Sequence, residues 1–78
     1  MAKLIRVSDT KAYRMEGVEI KGERYVSIRQ MYATKKDPAL KPSRNGINIP
    51  IEQAEKIAKY LKEIAAGDDF KEIDMSKD

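Results

Sequence analysis

Cysteine, histidine and tryptophan are all missing from this sequence of 78 residues. Without cysteine the chain can form neither a disulfide nor a thiolate metal site. Without histidine it lacks the commonest metal ligand and the usual general base of enzymes. The acidic side chains form no recognisable catalytic pair either. We therefore expect no cofactor, no metal site and no catalytic residue, and we expect a protein that is not an enzyme.

Long apolar runs are missing as well. No stretch approaches the roughly 20 apolar residues that span a bilayer, and the N-terminus, MAKLIRVSDT, lacks the apolar centre of a signal peptide. We expect a soluble intracellular protein without a membrane partner, in the cytoplasm, or in the nucleoid if its source is prokaryotic or a phage. A single domain of this length has a marginal core, so oligomerisation is the expected source of added stability.

Charge is distributed unevenly, although the net charge is only +3. Between positions 21 and 46 the acidic residues are Glu23 and Asp37, and the basic residues are Lys21, Arg24, Arg29, Lys35, Lys36, Lys41 and Arg44. From Gly67 onwards acidic residues dominate instead. A solvated face is the simplest interpretation of such a basic block. The block nevertheless makes nucleic acid the first partner to test.

The segment PIEQAEKIAKYLKEIAAG has the apolar spacing of an amphipathic helix. Pro50 suits the first turn of a helix, and Gly67 suits the left-handed conformation that ends many helices. The sequence therefore predicts a helix over residues 51–66. Its apolar stripe consists of Ile51, Ala54, Ile57, Ala58, Leu61, Ile64 and Ala65.

Upstream of this helix, apolar and polar residues alternate, which is typical of β-strands. RMEGVEIKG and RYVSIRQMY predict an antiparallel hairpin that turns around residues 21–23. GINI predicts a further short strand, and KLIRV predicts one near the N-terminus. ATKKDPALKPSRNG contains Pro38, Pro42 and Gly46, and it predicts a long loop. Strands followed by one helix favour an α+β fold with the helix on one face of an antiparallel sheet.

KGERYVSIRQMY, KPSRNGINI and PIEQAEKIAKYLKEI, in this order and spacing, resemble the transcriptional coactivator family of positive cofactor four. The family pattern is a strand ending in Ile-Arg-x-x-aromatic, a proline-containing loop, Lys-Pro-x-Arg-x-Gly-Ile, a short strand and a helix that opens at proline. The likeness covers residues 18–66. It implies a curved antiparallel sheet, one C-terminal helix, and a homodimer that binds single-stranded DNA with little sequence preference in transcription or in handling unwound DNA.

The resemblance also suggests site residues. Arg29 matches the strand arginine that faces DNA, and Tyr32 matches the aromatic position. Lys41 and Arg44 match the basic residues of the loop. Gly46 and Asn45 complete that loop, and Asn45 departs from the pattern because a second basic residue is expected there. The loop is also about one residue longer than the pattern, which leaves the alignment of Lys35 and Lys36 open.

The chemistry of the residues supports the same site, because single-stranded DNA needs cations for its phosphates and flat rings for its bases. Tyr32, with Tyr25 or Tyr13 as further candidates, supplies a ring. The candidate phosphate contacts are Arg29, Lys35, Lys36, Lys41 and Arg44. Pro42 would stiffen the loop, which lowers the entropy lost on binding, and Asn45-Gly46 would turn the chain into its last strand.

Plainer interpretations stay open for these residues. Tyr32 could be a packing residue, and Arg29 could pair with Glu19 across the hairpin. Lys35 and Lys36 could serve solubility alone. Arg29 and Tyr32 lie three positions apart, so a regular strand points them to opposite faces unless a bulge intervenes.

Three segments are expected: residues 1–12 as a short strand or a flexible segment, residues 13–66 as the DNA-binding domain, and residues 67–78 as a mobile acidic tail. The predicted dimer interface consists of Ile57, Leu61 and Ile64. Two other functions stay open. One is a protein-interaction module that binds a transcription factor or the transcription machinery, and the other is a module that binds single-stranded RNA.

Overall fold

The computed structural model describes residues 1–73, which form a four-stranded antiparallel sheet followed by one helix. The elements are β1 (Ala2–Ser8), β2 (Lys11–Ile20), β3 (Glu23–Tyr32), β4 (Lys41–Pro50) and α1 (Ile51–Ala66). The strands lie in the sheet in chain order. The α+β fold predicted from strands followed by one helix is confirmed. No helix in the described part of the chain is long and apolar enough to cross a membrane.

The hairpin between β2 and β3 turns through Lys21 and Gly22, whose φ angles are 52° and 81°. Two positive φ angles define a turn whose twist matches that of the flanking strands, and glycine adopts such an angle at little cost. Strand pairing runs without interruption from Lys11 opposite Tyr32 to the end of the hairpin. The hairpin predicted around residues 21–23 is therefore confirmed.

β4 is longer than the sequence predicts, because it starts at Lys41 and not at the GINI segment. The connection after β3 spans only residues 33–40. Pro42, Asn45 and Gly46 lie inside β4, so the prediction that they shape a loop is wrong. Within residues 1–73, β4 pairs only with β3 and forms an edge of the sheet. An edge strand tolerates proline, and pairing with β3 outweighs the local preference of Asn45-Gly46 for a turn.

The connection between β3 and β4 is held by short local hydrogen bonds. The Ala33 N–H donates to the Thr10 carbonyl at 3.0 Å, which keeps the chain beside the start of β2. Thr34 and Asp37 exchange two backbone hydrogen bonds of 3.0 and 3.2 Å. The Asp37 N–H also donates to Thr34 Oγ1 at 3.0 Å. Lys35 and Lys36 therefore occupy a tight turn, and both are exposed.

Helix α1 begins and ends where the sequence predicts, but the residue that follows it differs. Gly67 is extended, with φ −86° and ψ 179°, so the predicted left-handed conformation is wrong. Its N–H still donates to the Ile64 carbonyl at 3.2 Å. This bond satisfies one of the carbonyls at the helix end without a left-handed residue.

The core of a single chain is small. Its buried apolar residues are Ala12, Met31, Ala33 and Ile49. None of the residues of α1, all of which the structure describes, is buried. Such a core predicts a marginal monomer.

The structure describes the whole of the expected N-terminal segment but only part of the expected acidic tail. KLIRV lies in β1, so residues 2–8 form a strand, one of the two alternatives for the N-terminal segment. The end of the expected acidic tail, residues 74–78, lies outside the described residues.

Candidate nucleic-acid interface

The sheet presents two chemically different faces. Residues directly opposite one another on neighbouring strands share a face, and successive residues alternate. The unbroken register of β2 and β3 puts Tyr13, Gln30 and Tyr32 on one face, here called the tyrosine face. It puts Arg14 and Arg29 on the other, here called the arginine face. Arg29 and Tyr32 therefore do not share a face.

A bulge is present, but it lies in β4 and not in β3. Opposite the single residue Gln30, β4 has three residues, Ser43, Arg44 and Asn45. The Asn45 N–H donates to Ser43 Oγ at 3.0 Å, which holds the bulge closed. Bulges redirect side chains on the strand that contains them. This bulge consequently reorients side chains of β4. It leaves Arg29 on the arginine face and Tyr32 on the tyrosine face.

On the arginine face, the side chain of Arg29 crosses over β4. Its Nη1 donates to the Ser43 carbonyl at 3.1 Å. The guanidinium lies directly above Gly46, because a Cβ added there would be 3.0 Å from Arg29 Cζ. Arg29 is therefore held against the sheet by the bulge and by the missing side chain of the glycine. A preorganised arginine loses less entropy when it binds an anion.

Arg14 lies directly opposite Arg29 in β2, and the sequence analysis did not single it out. Like charges in directly opposite positions destabilise a sheet. Arg14 Nη2 makes a loose contact of 3.8 Å with Glu16 Oε2. Glu19 lies opposite Arg24, so the interpretation that Glu19 pairs with Arg29 is wrong. The arginine face therefore carries two guanidinium groups, and that of Arg29 extends over β4.

On the tyrosine face, Tyr32 lies between two lysines. Lys11 of β2 and Lys41 of β4 are both directly opposite it. The tyrosine is 45% exposed. A base could stack on this ring while the phosphates on either side meet the two ammonium groups. Lys11 is a second residue that the sequence analysis misses, because only the strand register brings it beside Tyr32.

Lys41 already has an anionic partner. Its Nζ lies 2.6 Å from Asp37 Oδ2. The Lys41 ammonium, and next the hydrogen bond from the Ala39 N–H, hold the pKa of the Asp37 carboxyl below its ordinary value. A lowered pKa means that the pair adds stability above the ordinary pKa and loses it as the pH falls through the folded-state pKa. At neutral pH, Asp37 therefore competes with phosphate for Lys41.

Asp37→Asn is expected to strengthen binding of single-stranded DNA by roughly a few-fold at low salt, because it releases Lys41. The amide oxygen still accepts from the Ala39 N–H, so the turn is kept. The gain should shrink as salt is added. Titrations of oligo-dT at several salt concentrations measure this effect. Asp68→Asn changes the net charge equally outside the sheet, and an equal gain in that variant would contradict a specific role of Asp37.

The remaining basic candidates lie around the edge strand. Arg44 is exposed in the bulge, and Lys35 and Lys36 are exposed in the preceding turn. Among the basic candidates, the structure places Lys41 directly opposite Tyr32 and Arg29 on the other face of the sheet. In residues 1–73, no three acidic side chains are grouped so that they could hold a metal ion.

Gly46→Ala is expected to destabilise the fold by about 1–3 kcal/mol and to weaken DNA binding. The added Cβ would lie 2.9 Å from the backbone oxygen of Ile28 and 3.0 Å from Arg29 Cζ, so the guanidinium must move. Thermal melts and oligo-dT titrations measure the two effects. Gly17→Ala is the control, because an added Cβ at this strand glycine has no neighbour within 4 Å. Equal behaviour of the two variants would contradict the positioning of Arg29 by Gly46.

Comparison with known proteins identifies the family. The sequence model of Transcriptional Coactivator p15 (PC4) matches residues 7–60. Two crystal forms of BPSL1147, a PC4 homolog from Burkholderia pseudomallei, are similar in structure. The orthorhombic form has a TM-score of 0.73 at 23% identity over 85% of this chain and 88% of that chain. The tetragonal form has a TM-score of 0.67 at 25% identity over 83% and 98%. No curated protein is significantly similar in sequence.

The family model and the structural match show a fold of the coactivator type. The chain belongs to the Transcriptional Coactivator p15 (PC4) family, whose model matches most of its length. The resemblance noted in the sequence is therefore confirmed.

Proposed function

We propose that this protein is a homodimer that binds single-stranded DNA with little sequence preference and acts in transcription regulation or in handling unwound DNA. The observation that carries the proposal is the exposed ring of Tyr32 between Lys11 and Lys41. Stacking on such a ring accepts any base and contributes roughly 1–3 kcal/mol per base. The lysines add the contacts to phosphate. Family membership supports the same function.

Further phosphate contacts are proposed on the arginine face and along the edge strand. Arg29 is held by the Ser43 carbonyl, and Arg14 lies opposite it in the neighbouring strand, so each guanidinium group is proposed as a contact to phosphate. The exposed candidates at the edge are Lys35, Lys36 and Arg44. A single-stranded DNA molecule that contacts both faces of the sheet would have to pass around the edge formed by β4. The edge residues are therefore proposed as contacts to phosphates between the two faces.

The homodimer is proposed from the apolar stripe of α1. Leu61 and Ile64 are 62% and 64% exposed, and Ile57 is only partly buried. Soluble monomers rarely expose continuous apolar patches, so such a stripe indicates an interaction site. A second copy would cover Ile57, Leu61 and Ile64 and would add the burial that the small core of one chain lacks. The site of action is proposed to be inside the cell, in the cytoplasm, or in the nucleoid of a prokaryote.

Titration of oligo-dT at two salt concentrations, with the mass of the complex measured, tests this function. Affinity should fall with salt, since neutralised phosphates release counterions. The matching duplex should bind more weakly, because it hides the faces of its bases. Competition with RNA of matching sequence separates DNA from RNA binding. No binding to any strand would contradict the proposal and favour a protein-interaction module.

A further inference from the structure

A cleft of about 410 Å³ opens on the tyrosine face. Its walls include Tyr13 and Tyr32, which are diagonal neighbours across β2 and β3. Diagonal neighbours in an antiparallel pair lie roughly 7–8 Å apart. A base that stacks between two rings lies about 3.5–4.0 Å from each of them. The two rings must therefore be about 7–8 Å apart, which is the spacing of diagonal neighbours. The Cα spacing of these two strand positions therefore matches the space that one flat ring needs between two parallel tyrosine rings.

Two amide side chains lie beside this space. Asn45 Nδ2 donates to Gln30 Oε1 at 3.2 Å, and both residues line the cleft. The bond leaves the oxygen of Asn45 and the amino group of Gln30 able to accept and to donate. Amides that offer a donor beside an acceptor are the groups that recognise the edges of bases. The bond to Ser43 Oγ fixes the backbone of Asn45 in the bulge, and the bond to Gln30 orients its amide.

We propose that this cleft is a pocket for one nucleobase, which stacks between Tyr13 and Tyr32 and hydrogen-bonds through its edge to Gln30 and Asn45. The inference rests on the proposed function and deepens it. At this one position the protein distinguishes bases, whereas the rest of the interface reads only phosphates and ring faces. Lys11 lines the same cleft and is placed to meet the phosphate of the bound nucleotide.

The exposure of the two rings favours a base over packing of the rings on each other. Tyr13 is 39% exposed and Tyr32 is 45% exposed, so each ring keeps an open surface beside the cleft. Apart from Lys11, the side chains that line the cleft are uncharged. This combination suits a neutral ring attached to an anionic backbone.

Titrations of oligo-dA, oligo-dC and oligo-dT of equal length at one salt concentration test the pocket. The strongest and weakest wild-type affinities should differ by about fivefold or more. Asn45→Ala and Gln30→Ala should each bring this ratio towards one and leave the salt dependence unchanged. Asn48→Ala is the matched control, because Asn48 lies on the same strand and faces the arginine side, opposite Ser27. The control should keep the wild-type ratio.

Different bases also stack with different strengths, so only a change of ratio in the amide variants supports the pocket. An unchanged ratio in both variants would overturn it, and so would equal wild-type affinities for the three homopolymers. A changed sedimentation coefficient of the free variants with an unchanged ratio would assign the cleft to the dimer interface and also overturn the pocket. In these cases DNA binding itself survives. Failure of every oligonucleotide to bind would overturn the proposed function as well.

Discussion

Leu61→Glu is expected to convert the proposed dimer into a monomer and to lower the melting temperature. Leu61 is 62% exposed in a single chain and lies in the middle of the apolar stripe of α1. A second copy that covers this stripe would have to bury the new carboxylate without a partner, which costs several kcal/mol. Glutamate is a good helix former, so the loss cannot be attributed to the helix itself.

Sedimentation at micromolar concentration and melts at several protein concentrations measure this effect. A dimer that stabilises its subunits has a melting temperature that rises with concentration, and the variant should lose this dependence. Lys59→Glu is the control, because it introduces the same side chain on the opposite side of α1. A dimeric Leu61→Glu variant with the wild-type melting temperature would show that the stripe is not the interface.

The residues that the sequence predicts well are those whose local pattern agrees with their tertiary environment. Helix α1 combines regular apolar spacing with Pro50 at its start, and its bounds agree with the prediction. The hairpin at Lys21 and Gly22 combines alternating strands with a glycine in a turn. In both segments short-range preferences and long-range pairing favour the same conformation.

The start of β4 could not be predicted in the same way. Pro42, Asn45 and Gly46 each favour a turn or a break when they are judged by their neighbours in sequence. In the structure they form a strand, because β3 supplies a partner along one side and the bulge accommodates the extra residues. The residue types correctly indicated an irregular segment, but the irregularity is a bulge within a strand and not a loop.

The site could be predicted in part. Tyr32 and Lys41 do lie together, as directly opposite residues of β3 and β4. Lys11 and Arg14 were missed because they belong to β2 and reach the site only through the register of the sheet. A sequence search for neighbouring basic residues cannot find them. Pairing the two predicted strands of the hairpin residue by residue would have placed Arg14 beside Arg29.

Tyr32→Ala is expected to weaken binding of single-stranded DNA by roughly 1–3 kcal/mol and to leave the salt dependence nearly unchanged. Stacking on the ring releases no counterion, so its loss lowers the affinity by the same factor at every salt concentration. Lys41→Ala should instead change the salt dependence of binding. Loss of one phosphate contact flattens the slope of log K against log salt by about 0.7 for single strands.

Salt-dependent titrations and thermal melts of Tyr32→Ala, Tyr32→Phe and Lys41→Ala separate stacking from packing. Tyr32→Phe keeps the ring and should bind almost as tightly as the wild type, because stacking does not use the hydroxyl. The free Tyr32→Ala protein should melt near the wild-type temperature, since the side chain is 45% exposed and its removal opens no buried cavity. A clearly lower melting temperature would mean that Tyr32 packs rather than stacks. A flatter slope in Tyr32→Ala, or an unchanged one in Lys41→Ala, would contradict the division of roles between the ring and the ammonium group.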